Sequence, residues 1–538
     1  MQYLTIWKSR YRIFKRSKTR AACLTRIRDI GLDSAKASLG CILSNWKKKE
    51  KKRTTCYLVL LQQFLGERRE IESLLKSAIW TLLKHQNLAI SALEFLPKEL
   101  FPQLFLSAFR FECTDTLKAI VQVWPFPTLP LGTLTDKFCP CMTSLEAVLD
   151  GIDLLLAQEV CPRRCKLEIL DFCHSGDQFW NQWCDIPIRW VRDLKPPLSV
   201  GSCRKGHTSV LLEVAVDLTV NDGPLWEVES HVLDWAKGRK DIHLCCRKIT
   251  FMDTPLFIIW LNDIKLTCVL EVEVYLWLSS FNPVLLTPIL DKMKNLRRLI
   301  FTTQPPIRMT MEEQQQFMPP FSEQFLLLNS LRELYMDSTI FLKENLDKVL
   351  WCLKTNLETL FITNCTLLIQ DMTQMSRCPN LNQLKKLSLH GTCLRLFSTP
   401  LQVLLENCAS TLQDLDLGVC GLQDSDMEEI LPGLKLCSQL RVLKLQENCL
   451  SMATLVQVVC HLAELPHLML EIYPAPLESY SSPGKLHQRT FDLLCADMTN
   501  VLRDLGKPRS IFLHINFCRW YGQSMLHKCE ATFSSVSE

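Results

Sequence analysis

Three close cysteine pairs have the residue type and spacing for metal chemistry: Cys139-Pro140-Cys141, Cys161 with Cys165, and Cys245-Cys246. A structural zinc needs four thiolate or imidazole donors, usually as two short-spaced pairs. Here pairs of pairs at ligand spacing, with histidines to match, are missing, so neither a metal nor a cofactor is expected. Other chemistry is as thinly supplied. There is no phosphate-binding loop, no Gly-x-Ser-x-Gly elbow and no His-Glu-x-x-His pair. Seventeen glycines in 538 residues leave little material for phosphate-cradling loops, and the 11 histidines are dispersed. The chain reads as a non-enzyme. Many of its 26 cysteines fall in leucine-rich segments or at turns, where Cys acts as a small apolar residue. A large intracellular protein keeps such residues as thiols.

What remains is recognition chemistry, and two short patterns carry it. From Glu72 to Leu83 the apolar residues 74, 75, 78, 79, 82 and 83 form one wide helical stripe. Within it Ser73, Leu74, Ala78 and Leu82 match the relaxed elongin C-binding box. That box needs a helix edge with a protruding leucine and a small residue that permits close approach. Further on, Leu96, Pro97, Leu100 and Leu104 match the cullin-2 box, aliphatic-Pro-x-x-aliphatic-x-x-x-aliphatic. Each pattern alone is weak, and the plain alternative is that these leucines pack a helical cap. Their order and short separation strengthen the docking reading without displacing the packing one.

These motifs need a scaffold, and the stretch from Leu331 to Leu470 supplies it. Leu-x-x-Leu-x-Leu segments begin at Leu331, Leu357, Leu384, Leu412, Leu440 and Leu465, in steps of 26, 27, 28, 28 and 25 residues. A looser copy runs from Leu296 to Phe301. A period of this length marks a leucine-rich-repeat solenoid. Alternating leucines share one face of a short strand. Eight residues after each first leucine stand Gln304, Thr339, Cys365, Thr392, Cys420 and Asn448. That position turns the chain, and its side chain can satisfy backbone donors of adjacent turns. The stretches between, such as Leu401 to Cys408, have helical apolar spacing. One such unit cannot bury its apolar face alone, so the units must stack. The predicted class is α/β, a leucine-rich-repeat horseshoe solenoid with a helical N-terminal cap.

The expected organisation is a basic, poorly ordered extension over 1–67 and a helical cap over 68–165. Degenerate repeats with an irregular loop from Phe179 to Gly206 follow over 166–295, with the solenoid starting near residue 167. Regular repeats fill 296–475, and a C-terminal cap and tail fill 476–538. In each strand the residue between the last two leucines leaves the core and faces the concave side. These residues are Ile300, Tyr335, Phe361, Ser388, Asp416, Lys444 and Met469. A neighbouring column holds Thr302, Asp337, Thr363, His390, Gly418 and Gln446. Ile300, Tyr335, Phe361, Ser388, Asp416, Lys444 and His390 are the candidate contacts for a protein substrate. The alternative for the apolar trio Ile300, Tyr335 and Phe361 is that a loop covers them. Leu401, Leu404 and Leu405 also fit a nuclear-receptor box, but a return helix needs them inward.

Charge is unevenly spread. Residues 1–53 hold 16 Lys/Arg against 3 Asp/Glu, a net of +13, and the remainder nets −9. The solenoid is therefore no general nucleic-acid binder, and a nucleic acid is expected as a partner only through the basic extension. The run from Trp46 to Arg53 fits a solvated tail, a nuclear-import patch, an RNA or membrane contact, or a presequence. No apolar run is long enough to span a membrane, and no secretory layout is present. The expected compartment is the cytoplasm, with the nucleus as the second.

Several longer blocks resemble the PRAME family. They are Leu93 to Pro102, Leu117 to Phe126, Ala147 to Gly151, Leu156 to Arg164, and Tyr473 to Tyr480. The blocks recur in family order over about residues 70 to 515, while the extension before about residue 68 departs from the family's short start. The resemblance implies a horseshoe solenoid serving as substrate receptor of a cullin-2 ubiquitin ligase, with elongin B/C and a RING subunit as partners. It also implies germline or oocyte expression and roles in transcriptional repression, proliferation, differentiation and apoptosis. The family can carry a nuclear-receptor box before Leu-Gly-x-Pro; here that segment, Met498 to Leu502 before Leu505-Gly506, is degraded. A ligase-independent scaffold or corepressor is the alternative.

Overall fold

The computed structural model describes residues 68–135, 142–160, 162–173, 177–184, 212–221, 227–252, 264–276, 287–303, 325–326, 328–339, 342–481, 485–506, 509–516 and 524–530. The basic extension, Cys139, Cys141, Cys161, Gln304 and most of the segment after Cys184 lie outside them. The chain divides into two compact units.

The first unit is helical: α1 (Arg68–Leu83), α2 (Gln86–Ala92), a 3-10 turn (Lys98–Leu100), α3 (Phe101–Arg110), α4 (Thr114–Gln122) and α5 (Met142–Leu156). Pro102 near the start of α3 sets the helical φ without wasting a donor. Phe101, Leu104 and Phe105 on this helix are buried, and Phe101 and Phe105 meet the fully buried Trp124 edge-on. Helices α4 and α5 approach closely at Gly151, where a Cβ would lie 2.9 Å from the Lys118 backbone. Beside it Lys118 pairs with Asp150 at 2.9 Å. Arg164 donates to the carbonyls of Leu93 (2.9 Å), Glu94 and Leu96 (2.5 Å) and lies over the Phe101 ring. It thereby ties off the orphan carbonyls at the end of α2. Several blocks that carry the PRAME resemblance thus meet inside this unit.

The second unit is built on one 14-stranded sheet. Its first strands are β1 (Thr128–Pro130), β2 (Ile169–Asp171), β3 (Leu212–Val220), β4 (Ile242–Met252) and β5 (Glu271–Leu276). Then come β6 (Arg298–Thr303), β7 (Glu333–Asp337), β8 (Thr359–Thr363), β9 (Lys386–Ser388), β10 (Asp414–Asp416), β11 (Val442–Lys444) and β12 (Leu470–Pro474). A separate small ribbon, β13 (Tyr480–Ser481) and β14 (Lys485–Leu486), follows before β15 (Ser510–Asn516) and β16 (Ser524–Glu530). Strands β1 to β12 pair in parallel in chain order; β15 joins parallel to β12, and β16 closes antiparallel to β15. Parallel neighbours need a crossover, usually helical. Helices in the connecting stretches are α6 (Asp177–Cys184), α7 (Glu227–Ala236), α8 (Thr287–Leu290), α9 (Leu346–Leu350), α10 (Ile369–Arg377), α11 (Ser398–Cys408), α12 (Asp424–Leu436), α13 (Met452–Leu462) and α14 (Gln488–Asp504). Leu401, Leu404 and Leu405 of α11 are buried, as a return helix requires. Among the described residues no helix is long and apolar enough to cross a membrane.

The sheet begins earlier than the sequence suggests. Strand β1 lies in the proline-rich segment after Trp124, within the stretch expected to be all helical cap. Proline is tolerated there because β1 is an edge strand. The start of the segment expected to be an irregular loop is the helix α6, whose Trp180 is buried and donates to the Pro130 carbonyl at 2.9 Å.

One register runs through the repeats. Leu299, Leu334, Leu360, Leu387, Leu415 and Leu443 are Cα partners in successive strands, all within 1% of full burial. The next partner is Glu471, not a leucine. The last repeat therefore starts at Leu468, three residues later than the Leu465 pattern implies. Glu471 is 1% exposed; Arg509 grips it at 2.7 and 2.5 Å, and Tyr473 donates to it at 2.6 Å.

The turn position behaves as its residue types predict. The Thr339 hydroxyl and the Cys365 thiol lie 3.2 Å apart, and Thr392 donates to the Ile362 carbonyl at 3.1 Å. Asn448 accepts from the Cys420 and Leu422 amides and donates to the Leu417 and Leu445 carbonyls. One residue earlier, Ser338, Asn364, Gly391, Val419 and Glu447 all hold positive φ. The turn demands this conformation, and a β-branched residue tolerates it worst.

Two outcomes follow for stability, both read from urea midpoints. Val419→Asn should stabilise by about 1 kcal/mol, since Asn tolerates the left-handed region. Arg509→Ala should cost about 3–5 kcal/mol by stranding the buried Glu471 carboxylate, and Glu471→Leu with Arg509→Met should recover most of that.

Candidate functional site

Ser73, Leu74, Ala78 and Leu82 all lie on α1, and the spacing of 74, 78 and 82 puts those three on one face. The side chains of Ser73 and Leu74 lie outside the described residues. Ala78 and Leu82 are half-buried, while Ile79 and Leu83 beside them are buried. The helix packs through the adjacent stripe and leaves this edge accessible. Its exposed Trp80 carries the Lys84 ammonium 3.3 Å above its ring.

Of the second box, Leu96 and Pro97 sit half-buried on the turn that Arg164 holds, and Leu100 sits half-buried on the 3-10 turn. Leu104 is different. It is 1% exposed, one helical turn from Phe101 and next to Phe105 in the α3 core. Its fourth position is therefore a packing residue and not a contact.

In the second unit the expected strand column is in register. Ile300, Tyr335, Phe361, Ser388, Asp416 and Lys444 are successive partners. Met469 is not in it; Ile472 takes that place, and Met469 follows Arg441 at the leading edge of the strands. Nor is the whole column open. Ile300, Tyr335 and Ser388 are buried, whereas Phe361, Asp416 and Lys444 are half-buried. The Tyr335 and Phe361 rings meet edge-on with centroids 4.8 Å apart. In the neighbouring column Thr363 donates to Asp337 at 2.6 Å.

A third column was not anticipated. Lys248, Glu271, Arg298 and Glu333 are successive partners with alternating charge. Lys248 reaches Glu271 and Glu273 at 3.3 and 3.0 Å. Arg298, itself buried, reaches Glu271 and Glu333 at 3.0 and 2.8 Å, and the Tyr335 hydroxyl donates to Glu333 at 3.1 Å. Burial and the Glu333 carboxylate together push the Tyr335 hydroxyl well above its ordinary pKa. For Arg298 and Glu333 the signal was present in the sequence, at the residue before the second leucine of the motif, while Lys248 and Glu271 precede Ile249 and Val272 instead.

The more open part of the face lies over β9 to β11. His390 Nδ1 is 3.4 Å from Asp416 Oδ1, and Lys444 Nζ is 3.3 Å from Asp416 Oδ2. Gly418 donates its amide to Asp416 at 3.0 Å. A Cβ on Gly418 would lie 2.7 Å from His390 Nδ1 and 2.6 Å from Gln446 Nε2, so the glycine lets both side chains close over the strand. The hydrogen bond to Asp416 raises the His390 pKa against burial, which lowers it. Burial alone would raise Asp416, but His390, the Gly418 amide and Lys444 outweigh it and hold the carboxyl below its usual value. At the leading edge a pocket of about 550 Å³ is lined by Arg297, Arg332, Lys354 and Lys385 among others, with Glu358 shared between Arg332 (2.6 Å) and Lys385 (2.7 Å). Such a surface offers donors and acceptors to a protein's polar side chains.

The repeat cysteines are packing residues. Burial pushes the thiols of Cys408, Cys420 and Cys437 up to about 12, which keeps them protonated and inert. Cys245 and Cys246 are buried on β4, and Cys245 sits with His243 and Cys268. Cys165 is half-buried.

Two family models match the chain and together span most of it. The PRAME N-terminal domain matches residues 72–180 and the PRAME C-terminal domain matches residues 212–534. PRAME family member 12 of Homo sapiens is 41% identical over 443 residues, covering 81% of this chain and 91% of that protein. PRAME family member 20 of Homo sapiens is 40% identical over 469 residues, covering 85% and 97%. PRAME family member 7 of the same organism is 40% identical over 443 residues, covering 81% and 93%.

The His390–Asp416 pair has a measurable consequence. Because the folded His390 value lies above the ordinary one of about 6.5, its contribution to stability is complete below that value. It is lost as pH rises through the folded value. The depressed Asp416 acts in the opposite sense, contributing above about 3.8 and losing that contribution as pH falls through its folded value. An NMR titration should place the His390 midpoint above 6.5, and Asp416→Asn should bring it down.

Proposed function

This chain belongs to the PRAME family, and from that premise we propose that it is the substrate-recognition subunit of a cullin-2 ubiquitin ligase. In this reading α1 docks elongin C of the elongin B/C pair through Ser73, Leu74, Ala78 and Leu82. The turn bearing Leu96, Pro97 and Leu100 meets cullin-2, which brings the RING subunit. The parallel strands line the inner wall of a horseshoe and hold a protein substrate. Phe361, Asp416, Lys444 and His390 make the contacts, and Ile300, Tyr335 and Ser388 shape the floor beneath. The protein itself is not catalytic; it raises the effective concentration of a substrate lysine near a charged conjugating enzyme. It works in the cytoplasm and nucleus of germline or oocyte cells, with effects on proliferation, differentiation, apoptosis and transcription.

The observation that carries this reading is the accessible edge of α1. Ala78 and Leu82 stand half-buried beside buried Ile79 and Leu83, the arrangement a small-residue docking edge requires. One observation favours a second reading, a ligase-independent scaffold or corepressor. Leu104 lies in the core, which leaves the cullin box one contact short. The buried Leu401, Leu404 and Leu405 give that scaffold no nuclear-receptor box on α11.

A pulldown separates the two. Full-length protein should retain elongin C, and Leu74→Ser should lower retention at least about tenfold, the effect of losing one well-packed anchor. Leu104→Ser should instead lower thermal stability. If the wild type retains no elongin C, the scaffold reading stands and the ligase reading falls.

A further inference from the structure

We propose that Cys495, His527 and Cys529 form a zinc-binding site that ties the last helix to the last strand of the sheet. Strand β16 pairs with β15 so that His527 faces Leu513 and Cys529 faces Ile511. Ile511 and Leu513 are fully buried. Cross-strand partners share a face, so His527 and Cys529 stand on the core side of the sheet. Helix α14 turns Phe491, Cys495, Met498 and Leu502 inward. Cys495 thus comes up against the two strand residues, and one donor atom from each of the three lies within 4.8 Å of the others.

The spacing suits the ion. Zinc lies about 2.3 Å from sulfur and about 2.0 Å from imidazole nitrogen, so donor atoms of a tetrahedral site sit about 3.5–3.8 Å apart. The three side chains need only small movements to reach that. The Cys495 and Cys529 thiols are hydrogen-bonded to one another, so the two sulfurs are already in contact. The Thr499 hydroxyl donates to the Cys495 carbonyl at 2.8 Å one turn back along the helix. The Phe491 ring meets His527 edge-on with centroids 5.4 Å apart, which orients the imidazole. The fourth position is left to water. Asp492, one turn before Cys495, adds negative charge to the same corner.

A second cluster, His243, Cys245 and Cys268, has the same residue types, with His243 Nε2 3.5 Å from the Cys268 sulfur. It is the poorer candidate, because the Arg247 guanidinium hydrogen-bonds Cys245 and places a fixed cation beside it. A dication there would meet repulsion.

The test uses the full-length protein, purified reduced, with cobalt(II) as the spectroscopic probe and zinc measured by mass spectrometry after dialysis. Wild type and Cys268→Ser should retain about one equivalent of zinc and give the thiolate-to-cobalt charge-transfer band of a tetrahedral site. Cys529→Ser and His527→Asn should lose both while keeping the wild-type circular dichroism spectrum. Should those variants misfold, a chelator provides the second reading: it should lower the melting temperature of the wild type and leave Cys529→Ser unmoved. The proposal is overturned if wild type shows no such cobalt spectrum, if zinc is lost with Cys268→Ser and kept with Cys529→Ser, or if Cys495 and Cys529 are found as a metal-free disulfide.

Discussion

The structure depends on an apolar column that has to be continued at every strand. Leu299, Leu334, Leu360, Leu387, Leu415 and Leu443 stack in turn, each inner member between the leucine before and the leucine after. Burying one such side chain is worth about 1.5–3 kcal/mol, and a strand as short as Asp414–Asp416 has little else. No single repeat can fold alone. The column must also stop somewhere, and it stops at Glu471, whose carboxylate is held by Arg509 and Tyr473. The exchange of a leucine for a gripped charge marks the end of the regular repeats.

The same register that stacks the leucines dictates the other side of the sheet. Equivalent positions of adjacent strands lie about 4.8 Å apart, so like charges in one column would repel along its length. The column from Lys248 to Glu333 resolves this by alternating sign. That part of the face satisfies itself and is largely closed to a partner. Over β9 to β11 the ion pairs are fewer and their groups more open, as at Asp416 with His390 and Lys444.

Much of this was legible in the sequence because leucine spacing and turn chemistry are local. The turn residues Thr339, Cys365, Thr392, Cys420 and Asn448 were identified by position and make the bonds their types allow. The reading slipped at Leu465, where Leu468 and Leu470 imitate the motif three residues ahead of the true register. It left Leu104 open between contact and packing, and Ile300 and Tyr335 open between contact and cover, since periodicity gives a face but not what lies against it; all three are buried. Strand β1 was hidden by prolines that only an edge position tolerates. Of the Cys495, His527 and Cys529 cluster only the His527-x-Cys529 spacing is visible in the sequence, because Cys495 joins it only when α14 packs on β16.

The grip of Arg164 on the turn after α2 is made with main-chain carbonyls, not with side chains. Glu94 and Phe95 at its tip are left facing water, Phe95 with 71% of its surface open. The outline of that knuckle is thus independent of what it displays. Substitutions at the tip can therefore rewrite its chemistry while its shape, set by main-chain carbonyls, is inherited unchanged.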